Sequence, residues 1–171
     1  MLKHLTLAAL LAGTATVFVH AADIDDAAIA AVDQGGDWRA YGRNYSEQRY
    51  SPLAQIDRGN VGKLGPAWFL ELPGMRSLMS TPLVVDGVMY FSGSWAVVTA
   101  VDAKTGRLLW RHDPKSLEHA GANGRVMWDF NRGVAYWKGK VYVGTGDGRL
   151  LALDAKTGKE IWSTLTLDRD T

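Results

Sequence analysis

Ala100-Val101-Asp102-Ala103-Lys104-Thr105-Gly106-Arg107-Leu108-Leu109-Trp110 returns as Ala152-Leu153-Asp154-Ala155-Lys156-Thr157-Gly158-Lys159-Glu160-Ile161-Trp162. Asp154 lies 52 positions after Asp102, and the register extends upstream, where Gly139 and Tyr142 fall opposite Gly87 and Tyr90 without a gap. A repeat near 50 residues signals an array of stacked units, so the content of one copy decides the fold. Each copy reads as four short β-rich runs: 80–85, 88–92, 97–102 and 108–113 in the first, 132–137, 141–145, 150–154 and 161–165 in the second. Asp86-Gly87, Lys104-Thr105-Gly106, Lys138-Gly139 and Asp147-Gly148 supply turns between them. Four antiparallel strands repeated at this length make an all-β protein of the β-propeller type; a β-sandwich is the alternative. Asp102 and Asp154 recur with their turns and are read as turn caps, while Trp110 and Trp162 are read as packing residues between blades.

Outward from the repeats, the chain is short for such a ring. A propeller needs about four blades to close, and four repeats of this length exceed the 171 residues present. Unless identical chains assemble into a ring, only the first two blades of a longer protein are expected here, with an exposed edge where a third belongs. Residues 1–21 read as a signal peptide: Lys3 and His4 precede an apolar run over 5–19, and Val19-His20-Ala21 is a small-x-small cleavage site. An uncleaved anchor is the other reading. The run is shorter than the ~20 residues of a bilayer span and no later stretch is longer, so no transmembrane span is expected. Residues 22–66 are then an N-terminal extension packing on the propeller, and 67–171 the first blades. In the extension, Ile24, Ala27, Ala28 and Ala31 have helical spacing with Gly35-Gly36 as the stop. Trp38, Tyr41, Tyr45 and Tyr50 are expected anchors, and 67–72 reads as a further strand that would complete the last blade of a closed ring.

Composition narrows the function classes. Nineteen basic against 18 acidic residues give a net charge of +1, no electrostatic footprint for nucleic acid. Hydrophobic residues at 47% exclude wholesale disorder. The absence of Cys removes disulfides, thiolate metal sites, cysteine nucleophiles and covalent c-type haem attachment within this stretch.

The connection from the fourth strand of one blade to the first of the next opens on the face where propellers hold ligands. Two such connections occur, 73–79 and 114–131; the second is 18 residues long, without expected secondary structure, and is a functional candidate. Both feed the innermost strands, which makes Met79 and Arg132 neighbours of an axial ligand. The Arg132 guanidinium suits a planar carboxylate or a quinone oxygen, and equally a structural salt bridge. Trp128 either stacks on a flat ring or fills the underside of its loop. Residues 144–148 read as a hairpin, since a phosphate loop needs a Lys and a following helix. His112 and His119 lack metal-ligand spacing and read as solvated.

Four stretches then resemble the N-terminal part of the PQQ-dependent alcohol dehydrogenases of the methanol/ethanol quinoprotein family. They are the signature running through Asp37-Trp38, Gly42-Arg43, Tyr50-Ser51, Ile56 and Asn60-Val61-Gly62-Lys63-Leu64; the run from Thr81-Pro82 to Met89-Tyr90; Asn131-Arg132-Gly133-Val134-Ala135-Tyr136-Trp137; and the two Ala-x-Asp-Ala-Lys-Thr-Gly repeats. The resemblance implies an eight-bladed periplasmic propeller with PQQ and Ca²⁺ on its axis. Such an enzyme oxidises an alcohol to an aldehyde by hydride transfer to PQQ, while a carboxylate takes the hydroxyl proton, and passes electrons to a cytochrome c. It places Arg132 on the family's PQQ-contacting arginine and makes Trp128 a pocket wall. Met79 stands where many members carry a cofactor-contacting Glu, and Val126-Met127-Trp128 occupies the region of a vicinal cysteine pair. Asp57 and Gly65 depart from the signature with an effect on packing alone. The catalytic base and the Ca²⁺ ligands come from later blades in the family, so neither is expected in this chain, which alone is expected to be inactive. A haem c domain C-terminal to these blades is left open. The rival is a non-catalytic propeller scaffold of the outer-membrane assembly type, against which the Trp38 signature and Asn131-Arg132-Gly133 speak.

Overall fold

The computed structural model describes residues 24–31, 35–121 and 128–167; the expected signal peptide and the Val126-Met127 pair lie outside them. Eight strands make two antiparallel four-stranded sheets with neighbours in chain order. The first sheet holds β1 (Leu83–Val85), β2 (Val88–Ser92), β3 (Val98–Asp102) and β4 (Leu108–His112), and the second β5 (Ala135–Trp137), β6 (Lys140–Gly144), β7 (Arg149–Asp154) and β8 (Glu160–Leu165). These are two blades of a β-propeller. Their likeness extends to irregularities: the register shifts between Ala100 and Val101 in one blade and between Ala152 and Leu153 in the other.

Turn chemistry explains why the chain reverses where it does. A type I′ hairpin, whose twist matches that of the strands, needs positive φ at both central positions, and Asp86-Gly87 (49° and 76°) and Lys138-Gly139 (44° and 73°) both comply. At the next turn Asp102 Oδ1 accepts from the amides of Lys104 and Thr105 and from the Thr105 hydroxyl, and Asp154 repeats all three bonds with Lys156 and Thr157. The threonine bonds hold both carboxyls below the usual range. The two aspartates are turn caps.

The core lies between the blades. Leu83, Val85, Val98, Val141, Val143, Leu151 and Leu153 are almost wholly buried, and Tyr90, Trp110 and Tyr136 close the seam. The Trp110 indole N–H (2.9 Å) and the Tyr90 hydroxyl (3.2 Å) both donate to the Ala155 carbonyl of the second blade. Burial pushes the Tyr90 phenol well above its ordinary value, so it stays a neutral donor. Trp68 makes the matching bond to Ala103 O at 3.1 Å. Trp162 is 38% exposed and every residue of β8 is exposed.

Several expectations need correction. Residues 67–72 form no strand, because no strand of the described residues offers them a ladder; Trp68 is held by its indole. The 114–131 connection contains a short helix, α2 (Ser116–Ala120), entered through Lys115 at φ 56°. His112 is not solvated: its side chain is largely buried, 3.8 Å from Glu160 Oε2 of the next blade. In the extension, α1 (Asp26–Ala30) is capped by Asp25, whose carboxylate accepts from Ala28 N, and Ile24, Ile29 and Trp38 pack on the core. Tyr41, Tyr45 and Tyr50 do not bury as anchors and are about half or more exposed.

Candidate functional site

Because each blade begins at its inner strand, the 93–97 and 145–148 turns share one end of the structure with the 73–82 and 113–134 connections. Cross-bonds tie them there. Ser94 Oγ accepts from Arg76 N and Ser77 N, Trp95 N donates to Asp129 O, and Arg149 Nη2 donates to Pro114 O.

Arg149 and Asp147 form a side-chain pair that is 13% and 0% exposed, with Thr145 also donating to Asp147. Burial alone would raise the Asp147 carboxyl, but the bonds from Arg149 and Thr145 outweigh it and hold it below the usual range. A depressed folded-state pKa contributes stability above the unfolded value of about 3.9, and that stability is lost as pH falls through the folded value. Asp147→Asn is therefore expected to cost about 1–3 kcal/mol at pH 7 and to flatten the fall in urea stability below pH 4. An unchanged acid limb would remove Asp147 from that role.

Asn131 sets the position of Arg132. Its Oδ1 accepts from the fully buried Ser92 hydroxyl (2.6 Å) and from Gly133 N (3.0 Å), and its Nδ2 donates to Gly144 O (2.8 Å). One amide thus joins the end of β2, the end of β6 and the approach to β5. On the far side of Arg132, Thr81 N donates to the Arg132 carbonyl at 3.2 Å. Gly133, at φ 146°, passes so near that a Cβ would lie 3.4 Å from Thr81 O. The two inner strands are therefore locked side by side.

The side chain of Arg132 projects into the open. Its guanidinium carbon lies 5.1 Å from the Phe130 ring centroid, and the Trp128 ring lies 5.8 Å beyond Phe130. Asp129 pairs with Arg76 instead, at 3.8 Å, and no Asp or Glu of the described residues reaches Arg132. The salt-bridge reading of Arg132 thus finds no partner among them. Trp128 is 78% exposed and Met79 60% exposed, so neither is packing filler. The structure brings Arg132, Phe130 and Trp128 together. It places Met79 only indirectly, two residues before the Thr81 that binds the Arg132 backbone.

A recess of about 400 Å³ opens beside Arg132, with Gly133, Gly144, Leu150 and Tyr41 in its lining. Sequence reasoning read Tyr41 only as an anchor and so missed its place in the lining of the recess, and missed Asn131 as a clamp, since its partners are far along the chain. A smaller cavity of about 180 Å³ lies between Met75, Trp95 and α2. Its Lys115 pairs with Asp113 (3.3 Å) and Glu118 (3.6 Å), which leaves that charge matched.

An exposed guanidinium with an aromatic ring beside it fits a planar anion such as PQQ, whose carboxylates and quinone oxygens are acceptors. Ca²⁺ finds no such fit: among the described residues no group of three His, Cys, Asp or Glu could hold a metal ion. None of the described helices is long and apolar enough to cross a membrane.

Comparison with known proteins follows the same line. The family model "PQQ: Glucose/ethanol/alcohol dehydrogenase, beta-propeller domain" matches residues 38–164. The chain is 53% identical over 167 residues to the alcohol dehydrogenase (quinone), dehydrogenase subunit, of Komagataeibacter europaeus, covering 94% of this chain and 22% of that protein. It is 56% identical over 149 residues to quinohemoprotein alcohol dehydrogenase ADH IIB of Pseudomonas putida, covering 86% and 21%. The solved structure of quinohemoprotein alcohol dehydrogenase ADHIIG from Pseudomonas putida HK5 superposes with a TM-score of 0.78 at 51% identity, over 86% of this chain and 22% of that one. The chain thus spans about a fifth of the length of these relatives. Two matching blades, the Asn131-Arg132-Gly133 seam and a family match over residues 38–164 lead to one conclusion: the chain belongs to the β-propeller family of glucose/ethanol/alcohol dehydrogenases.

Proposed function

We propose that this chain supplies the first blades of a periplasmic quinoprotein that oxidises an alcohol to an aldehyde, with PQQ and Ca²⁺ on the propeller axis and a cytochrome c as electron acceptor. The observation that carries the reading is Arg132: an exposed guanidinium on the approach to β5, its main chain fixed by Thr81 and Asn131, and unmatched by any described carboxylate. When bound, PQQ supplies a two-electron acceptor for the hydride of the alcohol carbon. The chain's own residues bind and orient. Arg132 holds a carboxylate or quinone oxygen, Phe130 and Trp128 give it an apolar flank, and Asn131 fixes the backbone from which it projects. A carboxylate to take the hydroxyl proton and the ligands for Ca²⁺ would come from other blades. Met79, in place of a Glu, leaves that stretch of the pocket uncharged. Export to the periplasm rests on the Lys3-His4 start, the apolar run over 5–19 and the Val19-His20-Ala21 site. A haem c in a further domain accords with the quinohemoprotein relatives.

Reconstitution tests this reading. The full-length protein given PQQ and Ca²⁺ is expected to reduce an artificial dye with primary alcohols, and to lose that activity when PQQ is withheld. A folded protein that neither binds PQQ nor oxidises alcohols would return the scaffold reading.

A further inference from the structure

We propose that Tyr41 is a second ligand-binding residue of the axial site, carried there by an N-terminal segment that climbs the central channel of the propeller to stand beside Arg132. The identity of the ligand, PQQ, rests on the function proposed above; the placement of Tyr41 does not.

Strand pairing defines the path. β1 is the edge strand of its sheet, with β2 on one side. Its other side, toward the axis, is taken by Trp38, whose N–H donates to Val84 O (2.8 Å) and whose carbonyl accepts from Val84 N (2.9 Å). The pairing is antiparallel, so the chain leaving Trp38 runs opposite to β1 and three residues later comes level with Thr81. Thr81 is the residue that pairs with Gly133 across the blade seam. Tyr41 thus arrives at the end of the channel where Arg132 begins β5's approach. The Trp38 indole N–H donates to Tyr41 O at 3.2 Å and braces this rise.

The side chain then does what an anchor would not. Tyr41 remains 48% exposed and lines the same recess as Arg132 and Gly133. The Arg49 guanidinium, itself paired with Glu47 at 3.9 Å, lies 4.3 Å from its ring centroid, while Arg132 and the phenol border the recess itself. Hydrogen bonds from Arg49 and Thr81, with the nearby charges of Arg49 and Arg132, hold the phenol below its ordinary value. Such a border selects a planar anion: the guanidinium binds acidic oxygens while the phenol ring offers a face and its hydroxyl a hydrogen bond.

Binding of PQQ to full-length apoprotein, followed by quenching of tryptophan fluorescence, tests the proposal. Tyr41→Ala is expected to raise the dissociation constant about tenfold and Tyr41→Phe about fivefold. The thermal midpoint of the apoprotein should be unchanged in both, because the side chain is half exposed. Wild-type binding retained in both variants overturns the role of Tyr41 while leaving the quinoprotein reading intact. Absence of PQQ binding by the wild type overturns both. Should the alanine variant fail to fold, the phenylalanine variant, which keeps the ring, decides alone.

Discussion

Trp110→Ala is expected to destabilise the folded propeller by about 3–5 kcal/mol, the usual cost of emptying a buried tryptophan site. The indole is 8% exposed and lies on the Lys-Thr-Gly turn of the next blade. A Cβ on Gly158 would come within 2.5 Å of its ring, so the turn has Gly both for its φ of 70° and for the space the indole fills. Its N–H shares the Ala155 carbonyl with Tyr90, whose ring centroid lies 5.9 Å away. Trp110→Phe keeps much of the area and leaves the carbonyl with its Tyr90 bond, so a loss of about 1–2 kcal/mol is expected. Gly158→Ala attacks the same contact from the other side and should destabilise as well. Urea unfolding of the full-length protein measures all three. A Trp110→Ala loss below about 1 kcal/mol would mean that the blades are held together by the valines and leucines of the seam instead.

The contact is built three times over in pattern and twice in fact. Trp68 meets Ala103 and Gly106 as Trp110 meets Ala155 and Gly158, while Trp162 has no turn to meet within the described residues. This repetition is why so much of the fold was legible beforehand. Turn residues and caps depend on neighbours within one repeat, the interblade tryptophans on the same turn one repeat further along, and two copies of the repeat state the same rule. The non-repeating parts carry no second copy. Tyr41, Tyr45 and Tyr50 have the composition of anchors, but whether a tyrosine buries depends on what faces it, and the tertiary path of 37–50 is not encoded in their spacing. The helix α2 has five residues, too few for a periodic signal, and enters through a left-handed Lys115. Asn131 escaped for another reason: its partners Ser92 and Gly144 lie 39 and 13 residues away, a clamp visible only once the two blades stand side by side. Arg132 was legible as a candidate because it starts an inner strand, and only the folded seam showed its guanidinium without a carboxylate partner among the described residues.

On the proposed function, Arg132→Ala should weaken PQQ binding by the full-length protein about 10- to 100-fold. A charge-assisted hydrogen bond contributes about 1.5–3 kcal/mol, and each 1.4 kcal/mol is a factor of ten in affinity. The loss should appear in the cofactor titration before it appears in turnover, so activity measured at saturating PQQ would recover more than activity at limiting PQQ. Arg132→Lys separates charge from shape. An ammonium keeps the positive charge but lacks the planar fork that meets two oxygens at once, so its affinity should fall between wild type and alanine. Neither change should move the thermal midpoint of the apoprotein far, since the side chain is exposed and the Phe130 ring beside it is 5.1 Å away. Asn131→Ala provides the contrast: it leaves the guanidinium intact but frees the backbone that aims it and leaves the buried Ser92 hydroxyl without its acceptor, so binding and stability should fall together. If Arg132→Ala binds PQQ like the wild type while Asn131→Ala does not, the seam rather than the guanidinium shapes the pocket, and the ligand's acidic groups must be met by residues of other blades.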